Sequence, residues 1–303
     1  MHHFQFKKNG LMPILDFVKT TDHSNMKTIL VTGNSGYIGS HLTKCLSQEF
    51  KIIGLDLAQP KAKVWEHFNS DIRNFVGLPK YHIDTVIHLA ARVKVNESVL
   101  DPINYYSTNL NGTLNLLEKV KCNNFIFAST GSAEYCNNPY GVSKRAAEDC
   151  VKQFCQTHNI PFTIFRFYNV IGSSGFLPTN PDGLFYNLIK AVDIGKFTIF
   201  GYDYNTEDGT AVRDYVHVDE ICSAIINAID APALTTENLG HGKGYTVQQI
   251  AELFQEINNV KFTINYGPRR PGDLERSVLD NPSLYLPKTY SIQNLLHIPK
   301  TIV

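Results

Sequence analysis

The sequence of 303 residues predicts an α/β fold, in which a doubly wound parallel sheet is followed by a smaller, loop-rich lobe. From residue 28 onward, short runs rich in β-branched residues alternate with stretches of helical periodicity. Strands separated by such helices pair in parallel, because their connections must cross over the sheet. The alternation fades after Gly172, where glycine and proline become frequent. We therefore expect the sheet in the first part of the chain.

The first part of the chain divides into strands and helices by hydrophobic periodicity and by turn residues. The predicted strands cover residues 28–32, 51–56, 64–67, 85–91, 124–129 and 162–170. The predicted helices cover residues 37–49, 97–121 and 140–157. This order is typical of an open sheet with helices on both faces.

The remainder of the chain is expected to form a smaller mixed α/β lobe over residues 173–303. Short strands are predicted at 197–200 and 261–266, and a helix is predicted at 247–258. The predicted domains are an N-terminal extension over 1–26, a cofactor domain over 27–172 that the chain rejoins at about 211–235, and this lobe. Within the extension, residues 11–18 are apolar enough to pack on the body or to form a short helix.

Composition excludes several classes of protein. Lys plus Arg and Asp plus Glu both number 28, so the net charge of +0 gives no general attraction to nucleic acid or to an anionic membrane. No apolar run approaches the roughly 20 residues of a membrane-spanning helix. The six cysteines form no CxxC pair and no metal-binding spacing. Residues 1–25 lack the pattern of a signal peptide, so a cytoplasmic protein without a metal is expected.

The first predicted strand runs into a glycine-rich turn. Gly33, Gly36 and Gly39 lie between this strand and the first helix, where glycines let the backbone approach a pyrophosphate and the helix N-terminal amides bind its charge. Asp56 closes the second strand, where a carboxylate can accept hydrogen bonds from a ribose diol and would repel a 2′-phosphate. These residues predict a Rossmann-type domain that binds NAD rather than NADP. Asp71, after the third strand, is placed for the adenine.

A second motif opens the helix predicted at 140–157. The spacing of four between Tyr140 and Lys144 puts a phenol and an ammonium on one helical face. A nearby cation stabilises phenolate and lowers the tyrosine pKa from about 10, as a base acting on a sugar hydroxyl requires. Residues 129–132 carry hydroxyl side chains at the end of the preceding strand, where ligands of α/β sheets bind.

Other polar residues are expected to have structural roles. His88 lies in a strand with a buried pattern and is predicted to be a hydrogen-bonded core residue. His217 is predicted to brace the junction between the two lobes. Cys150 and Cys155 are predicted to pack against the body of the protein.

Longer motifs carry a resemblance to a known family. They are VTGNSGYIGSH at 31–41, IDTVIH at 83–88, NGTL at 111–114, NFIF at 124–127 and FGYDYNTEDGTAVRDYVHV at 200–218. Through them the chain resembles the extended short-chain dehydrogenase/reductase family, and within it the UDP-galactose (UDP-glucose) 4-epimerases, from about residue 27 to residue 280. The last motif is the most specific, because the wider family shares the glycine turn and the Tyr-Lys pair.

The resemblance implies roles for individual residues. Tyr140 would be the base on the 4-hydroxyl, Thr130 would assist it, and Lys144 would bind the nicotinamide ribose while lowering the Tyr140 pKa. The implied cofactor-binding residues are Gly33, Gly36, Tyr37, Ile38, Gly39, Asp56, Leu57, Asp71, Ile72, Leu89, Ala90, Ala91, Asn109, Ser129, Tyr140, Lys144 and Tyr168. The implied substrate-binding residues are Thr130, Tyr140, Asn169, Asn187, Leu188, Arg213, Arg270, Asp273 and Ser277. The two arginines suit a diphosphate, since guanidinium groups bind phosphate oxygens bidentately.

The activity that the resemblance implies is NAD-dependent epimerisation at C4 of a UDP-hexose through a transient 4-keto sugar. The substrate would be UDP-glucose or UDP-galactose, and the cofactor would be regenerated in each turnover. The resemblance also implies a homodimer, in which helices at 99–121 and 140–157 of two copies form a four-helix seam.

The region before Tyr140 departs from the epimerase pattern. The connection over residues 133–139 is shorter than in the family, so a loop that normally flanks the active site is missing. The same region has one extra residue after Thr130, so Ser132 or Ser129 could replace Thr130 as the assisting hydroxyl.

Two further departures concern ligand contacts. Val93 stands where the epimerases usually have a cofactor-binding lysine, and Lys94 is adjacent. Ser277 stands at a sugar-pocket position that is either bulky or small in the epimerases. A small side chain there predicts room for a 2-acetamido group, and hence activity on UDP-N-acetylglucosamine as well.

Two alternative functions remain open from the sequence. A nucleotide-sugar 4,6-dehydratase shares the fold, NAD and the Tyr-Lys pair, but such enzymes carry an Asp-Glu pair directly after the active-site threonine. Here Gly131 and Ser132 follow Thr130, and the nearest acid is Glu134. The other alternative is a non-catalytic NAD-sensing or scaffold protein, since dinucleotide-binding folds also occur in regulators. The complete Ser/Thr, Tyr and Lys set argues against it.

Overall fold

A seven-stranded parallel sheet forms the centre of the molecule in a computed structural model that describes residues 26–78, 80–286 and 290–298. Its strands are β1 (Thr28–Thr32), β2 (Lys51–Asp56), β3 (Glu66–Asn69), β4 (Ile83–His88), β5 (Cys122–Thr130), β6 (Phe162–Phe167) and β10 (Leu234–Leu239). The order across the sheet is β10-β6-β5-β4-β1-β2-β3. The order reverses between β1 and β4, which opens a crevice at the carboxyl ends of the strands. This architecture confirms the predicted fold class.

Helices cover both faces of this sheet. They are α1 (Tyr37–Leu46), α2 (Val95–Leu100), α3 (Pro102–Tyr105), α4 (Gly112–Lys119), α5 (Ser132–Tyr135), α6 (Pro139–Thr157) and α8 (Val218–Asp230). Apolar side chains of α1 and α8 pack with the sheet into one buried core, and those of α4 and α6 pack into a second core on the opposite face. Because both faces are covered, β1, β4 and β6 are buried along nearly their whole length.

The structure corrects several predicted boundaries. The single helix predicted over 97–121 is wrong: α2 ends before Asp101, α3 begins at Pro102, and a π-helical turn at Tyr106–Asn111 leads into α4. Asp101 has φ −138° and ψ 63°, outside the helical region. The reason is the proline, which disfavours helical geometry at the preceding residue and has no amide hydrogen to continue the ladder.

Smaller corrections concern the ends of other elements. The helix predicted at 37–49 ends at Leu46, and the strand predicted at 64–67 is β3 two residues later. The strand predicted at 85–91 is β4, which ends at His88. The strand predicted at 162–170 is interrupted at Tyr168, so its end forms a separate strand, β7 (Asn169–Ile171), in another sheet.

The second lobe is built from the remaining elements. Besides β7 these are α7 (Leu184–Ile194), β8 (Lys196–Phe200), β9 (Val212–His217), β11 (Gly244–Thr246), α9 (Val247–Asn258), β12 (Thr263–Gly267), β13 (Arg276–Ser277) and α10 (Ile292–Leu296). A mixed sheet places β9 beside β7, β11 and β13, while β8 and β12 form a parallel pair. The predictions at 197–200, 247–258 and 261–266 correspond to β8, α9 and β12. The sequence did not predict α7, β9, α8 or β10.

Two expectations concern the presence of a membrane-spanning helix and of a metal site. Within the ranges that the structure describes, no helix is long and apolar enough to cross a bilayer, and no group of three or more His, Cys, Asp and Glu side chains could hold a metal ion. The helix or packing segment predicted at 11–18 lies outside the described residues.

Candidate active site

A cavity of about 920 Å³, here named the large cavity, lies at the carboxyl ends of the central strands. It contains every residue that the sequence assigned to the cofactor, with the exception of Asn109. Thr130 and Asn169 from the predicted substrate set also line it. The structure therefore brings residues from β1, β2, β4, β5, β6 and α6 to one place, as the position of the strand ends requires.

The glycine turn forms the floor of the large cavity where β1 meets α1. Gly33 has φ +74°, and a Cβ there would lie 2.7 Å from the backbone nitrogen of Ala90. A Cβ at Gly39 would lie 2.1 Å from the carbonyl oxygen of Gly33. Gly36 caps α1 without a side chain, so the first amides of the helix face the cavity. This backbone cradle suits a pyrophosphate.

Two carboxylates, those of Asp56 and Asp71, line the large cavity. Asp56 accepts hydrogen bonds from the backbone amides of Ser35 and Ala58, at 3.0 and 2.9 Å. These contacts fix the carboxylate while leaving lone pairs for a diol. Asp71 accepts from the amide and the guanidinium of Arg73, with the shortest contact at 2.6 Å. The side-chain hydrogen bond from Arg73 lowers the pKa of Asp71.

Asn109 lies behind the cavity wall. Its amide nitrogen donates to the carbonyl of Arg92 and to the hydroxyl of Ser143, both at 3.0 Å, and its oxygen accepts from the Arg92 amide at 2.8 Å. In the structure this side chain ties the loop after β4 to helix α6. Its predicted cofactor contact stays a prediction.

Tyr140, Lys144 and Thr130 meet on one wall of the large cavity. Burial raises the pKa of Tyr140 to about 12, and a hydrogen bond with Thr130 lowers it only in part. Burial also lowers the pKa of Lys144 to about 7, against an opposing effect of Glu148. The expected lowering of the Tyr140 pKa is thus wrong in the structure, because removal from water disfavours both charged forms.

The hydroxyls near Tyr140 differ in their partners. Ser129 donates to Glu148 Oε1 at 2.5 Å and so faces the protein interior. Thr130 Oγ1 accepts from the amide of Ser132 at 3.2 Å, and of the three hydroxyls it is the one that lowers the pKa of Tyr140. Ser132 lines the cavity through α5 without a hydrogen bond to Tyr140. Among the three candidates, Thr130 has the geometry for assisting the tyrosine.

His88 is a core residue, as the sequence predicts. Its ring nitrogens bond with the hydroxyls of Thr32 at 2.7 Å and Thr113 at 2.9 Å. Complete burial lowers its pKa to about 3, so the ring is neutral at physiological pH.

A neighbouring cavity of about 260 Å³, here named the arginine cavity, lies within the second lobe. Arg213 and Arg270 both line it, together with Asp273 and Asn187. Arg213 pairs with Asp273 at 3.1 Å. Arg270 lies 4.2 Å from the centroid of the Phe200 ring. Two guanidinium groups in one cavity give the local positive charge that a diphosphate needs.

Two residues of α7 were predicted to contact the substrate, and Asn187 lines the arginine cavity whereas Leu188 does not. The Asn187 amide donates to the carbonyls of Pro181 and Gly183, at 2.7 and 2.8 Å, and so braces the loop before the helix. Leu188 is completely buried in the core of the second lobe and lines none of the three cavities. Its predicted substrate contact stays a prediction.

A cavity of about 120 Å³, here named the small cavity, lies between Thr130 and the second lobe. Ser132 and Asn169 line it from one side, and Asp273 and Ser277 line it from the other. Asn169 lines all three cavities. The large, arginine and small cavities therefore meet beside this residue.

The short connection before Tyr140 is folded compactly. Helix α5 is followed by Cys136 at φ 49°, and Asn138 then caps α6 by accepting from the Gly141 amide at 2.9 Å. A Cβ at Gly141 would lie 2.4 Å from the Ser132 carbonyl oxygen. This glycine lets α6 begin directly against the Ser129–Ser132 turn, so the shorter loop still places Tyr140 beside Thr130.

The two residues at the unusual lysine position share the arginine cavity, and only one of them reaches the large cavity. Val93 lines both the large and the arginine cavity, whereas Lys94 lines the arginine cavity only. Lys94 also pairs with Glu97 at 3.4 Å. The positive charge of Lys94 therefore lies at the arginine cavity and not at the large cavity.

Tyr215 is a site residue that the sequence analysis missed. It is buried, it lines both the large and the arginine cavity, and its hydroxyl has no hydrogen-bond partner within the described residues. Tyr215 lies inside the specific motif at 200–218, but in an apolar strand pattern a tyrosine is usually interpreted as core. Tyr215 differs from a core tyrosine in that its hydroxyl has no hydrogen-bond partner within the described residues. This difference is visible only in the three-dimensional structure.

Comparisons with known proteins agree with this arrangement. Residues 29–240 match the NAD dependent epimerase/dehydratase family. A UDP-glucose 4-epimerase of Pasteurella multocida is 34% identical, over 84% of this chain and 90% of the relative. A UDP-glucose 4-epimerase of Mus musculus is 31% identical, over 86% of this chain and 90% of the relative.

Solved structures give the same result. The UDP-glucose 4-epimerase from Bifidobacterium longum in complex with NAD+ and UDP has a TM-score of 0.79 and 27% identity, and the match covers 89% of this chain and 96% of that one. The one from Thermotoga maritima with UDP-glucose has a TM-score of 0.77 and 29% identity, over 89% and 96% of the two chains. The resemblance stated from the sequence motifs is confirmed, and the chain belongs to the NAD dependent epimerase/dehydratase family.

Proposed function

We propose that this protein interconverts UDP-glucose and UDP-galactose by epimerisation at C4, with NAD as its bound cofactor. The observation that carries the proposal is the meeting of three cavities at Asn169. One holds a dinucleotide cradle, one holds two arginines, and the small cavity between them opens beside Thr130. A sugar linked to a diphosphate would span these cavities, with its reacting carbon next to Tyr140.

The large cavity fits NAD on features of this chain. The Gly33 and Gly39 positions leave no room for a Cβ, as close approach of a pyrophosphate requires. Asp56 would bind the adenosine ribose and would repel a 2′-phosphate. Lys144 would bind the nicotinamide ribose. Bound NAD supplies a hydride acceptor and donor at its nicotinamide ring.

The protein would provide proton transfer and orientation. Tyr140 Oη would take the proton of the 4-hydroxyl and later return it, with Thr130 holding the same oxygen. Burial raises the pKa of Tyr140 and lowers the pKa of Lys144, and so favours the neutral form of each. Ligands that exclude water and add hydrogen bonds to the charged forms would favour the phenolate-ammonium pair.

The second lobe would hold the nucleotide. Arg213 and Arg270 would bind the diphosphate, and Asp273 would bind the uridine ribose, as the family resemblance implies. Their shared position in the arginine cavity supports these assignments. Asn169 would reach the sugar from the junction of the cavities.

Turnover of UDP-glucose tests the proposal directly. Purified protein with NAD should yield UDP-galactose, and Tyr140→Phe should lower kcat by roughly a hundredfold or more because it removes the base. Tyr202→Phe, at an exposed tyrosine, should behave as wild type. A 4-keto-6-deoxy product would instead identify a dehydratase, and binding of NAD without any product would identify a sensor. The Gly131-Ser132 pair after Thr130 favours the epimerase over the dehydratase.

We further propose that the enzyme also accepts UDP-N-acetylglucosamine. Ser277 lines the small cavity opposite Thr130 and Ser132, and all three side chains are small. Replacing it with a ring, in Ser277→Tyr, should lower kcat/KM for the acetamido sugar more than for UDP-glucose. Absence of turnover of the acetamido sugar by the wild type would refute this part of the proposal.

We also propose a homodimer in the cytoplasm. Apolar side chains are exposed on the helices of the predicted seam, with Leu100 at 85%, Ile103 at 73% and Leu114 at 43%, and such clusters favour association. All six cysteines are free, as suits a reducing compartment. Light scattering would measure the mass of the assembly, and cell fractionation would test its location. The domain division at 27–172, about 211–235 and 173–303 likewise stays a proposal.

A further inference from the structure

A buried group of charges lies directly behind Tyr140 and Lys144, and the proposed reaction does not use it. Glu148 on α6 is completely buried. Its two oxygens accept from Arg166 Nε at 2.9 Å and from Arg166 Nη2 at 2.7 Å. Glu148 Oε1 also accepts from the Ser129 hydroxyl at 2.5 Å. The carboxylate therefore joins three elements: α6, β6 and the end of β5.

These contacts fix the two segments that carry the reacting groups. Tyr140, Lys144 and Glu148 follow one another at intervals of four residues on α6, so they lie along one stripe of the helix. Ser129 directly precedes Thr130 on β5. Helix α6 and the end of β5 are thus joined by the hydrogen bond from Ser129 to Glu148, and Thr130, the next residue on β5, acts on Tyr140.

Glu148 lies one helical turn after Lys144 on α6, so its charge acts on Lys144 without a direct ion pair. Among the described residues, Glu148 is the carboxylate that raises the pKa of Lys144 against burial. Its own charge is balanced by Arg166, with Lys152 at 3.9 Å on the outer side. His88 on β4 also faces Lys144 and is neutral, because burial lowers its pKa to about 3.

We propose that Glu148 is a positioning residue for the epimerisation: it holds the strand end with Thr130 against the helix with Tyr140, and it supports the positive charge of Lys144. The effect on turnover rests on the proposed function, whereas the effect on Lys144 does not. A buried ion pair of this kind contributes little net stability compared with apolar side chains of the same volume. Its place beside the reacting groups therefore has a functional explanation.

The charge of Glu148 is tested with Glu148→Gln in the NAD-loaded enzyme, and Asp149→Asn is the matched control. Asp149 is the next residue on α6, and its side chain is exposed and pairs with Arg145 and Lys152 at the surface. Glu148→Gln removes the carboxylate and leaves Arg166 unbalanced, and both changes disfavour a charged Lys144. The pKa of Lys144 should fall by roughly one unit or more, measured by NMR of isotope-labelled lysines and assigned with Lys144→Met.

Glu148→Gln should also change the pH profile of kcat and the value of kcat at neutral pH. The alkaline limb of the kcat profile should move to lower pH, and kcat at neutral pH should fall roughly ten- to a hundredfold. The KM for UDP-glucose and the amount of bound NAD should stay unchanged. Asp149→Asn should keep the wild-type profile. A wild-type Lys144 pKa together with a wild-type kcat in Glu148→Gln would overturn the proposal.

Ser129→Ala gives an independent test, since it keeps the ion pair and removes the bond from strand to helix. It should lower kcat roughly tenfold without moving the Lys144 pKa. If Glu148→Gln fails to fold, a wild-type kcat in Ser129→Ala overturns the positioning role. If the wild-type protein does not turn over UDP-glucose, the proposed function fails, while the Lys144 titration still decides the role of Glu148.

Discussion

At the scale of single residues, burial dominates the chemistry of the site. Lys144 is buried and Tyr140 is half-buried at the cavity wall, and removal from water shifts their pKa values in opposite directions, toward the neutral forms. The charged forms that the reaction needs therefore depend on stabilisation by the ligands and by neighbouring residues. Among the described residues, Thr130 lowers the Tyr140 pKa and Glu148 raises the Lys144 pKa, and the Phe127 ring, whose centroid lies 4.1 Å from the Lys144 ammonium, also favours its charge.

A residue-scale prediction concerns the Tyr215 hydroxyl, which has no partner in the part of the chain that the structure describes. Tyr215→Phe should raise the KM for UDP-glucose roughly three- to tenfold, because a hydrogen bond to the substrate is worth about 1 kcal/mol. Its kcat and its NAD content should change little. Initial-rate kinetics at fixed pH would measure this.

Tyr204 provides the matched control for this prediction. Its hydroxyl is also buried without a partner within the described residues, but it lines none of the three cavities. Tyr204→Phe should leave KM unchanged. An equal rise in KM for both variants would show that loss of packing, rather than a substrate contact, explains the effect.

At the scale of elements, backbone geometry places the site. The β1–α1 turn works because glycine permits the φ of +74° at Gly33 and because no side chain separates it from Ala90. On the other side, the Asp101-Pro102 break sends the chain from α2 into α3 at a new angle. Both features come from local backbone chemistry, and the glycine turn lines the large cavity.

An element-scale prediction compares two glycines with similar backbone angles. Gly33→Ala should abolish NAD binding and lower Tm markedly, since its Cβ would lie 2.7 Å from the Ala90 nitrogen. Gly195, after α7, has φ +72°, and a Cβ there would meet no atom of the described residues within 4 Å. Gly195→Ala should cost only about 1 kcal/mol of unfolding free energy, from the left-handed conformation alone. Absorbance of released NAD and thermal melts would measure both effects.

Comparing the two alanine variants distinguishes the cost of a left-handed backbone from the cost of a steric clash with the new Cβ. If the two alanine variants lost NAD and stability equally, strain alone would explain the requirement for glycine at both positions. A normal NAD content in Gly33→Ala would contradict the pyrophosphate cradle.

At the scale of the whole molecule, polar contacts join the two lobes. His217 braces the junction, as the sequence predicts: its ring stacks on Tyr290 with centroids 4.3 Å apart, and a Cβ at Gly172 would lie 2.0 Å from its Cδ2. Asp214 accepts from the backbone amides of His241 at 2.9 Å and of Gly242 at 2.8 Å. The Asp214 contacts tie the segment that follows β10 to β9.

A pH prediction follows from the pair His241 and Glu220, whose side chains lie 2.9 Å apart. The hydrogen bond with Glu220 raises the pKa of His241. The pair therefore stabilises the fold fully below the unfolded histidine pKa of about 6.5, and this contribution is lost as pH rises through the raised folded-state pKa. His241→Gln should lower stability by roughly 1 to 3 kcal/mol at about pH 6 and by less at about pH 9.

Thermal melts of wild type and variant at both pH values would measure this difference. His82→Gln is the control, because His82 is exposed and lies 3.6 Å from Asp84 at the surface; its effect should be small at both pH values. A His241→Gln deficit that is the same at both pH values would contradict the assignment.

The sequence by itself determined the parts of this protein that depend on neighbours along the chain. Hydrophobic periodicity predicted the strands β1, β2 and β5, and the glycine spacing predicted the β1–α1 turn. The interval of four between Tyr140 and Lys144 predicted their shared wall, since a helix fixes that geometry locally.

The tertiary structure decided what depends on contacts between distant segments. Only the fold shows that Ser129 faces Glu148 while Thr130 faces Tyr140, that Asn109 braces a loop, and that the Tyr215 hydroxyl has no partner among the described residues. It also decided the pKa values, because burial is set by every element that packs around a group. Local pattern thus determined which residues form the site, and packing determined which of their atoms are free to react.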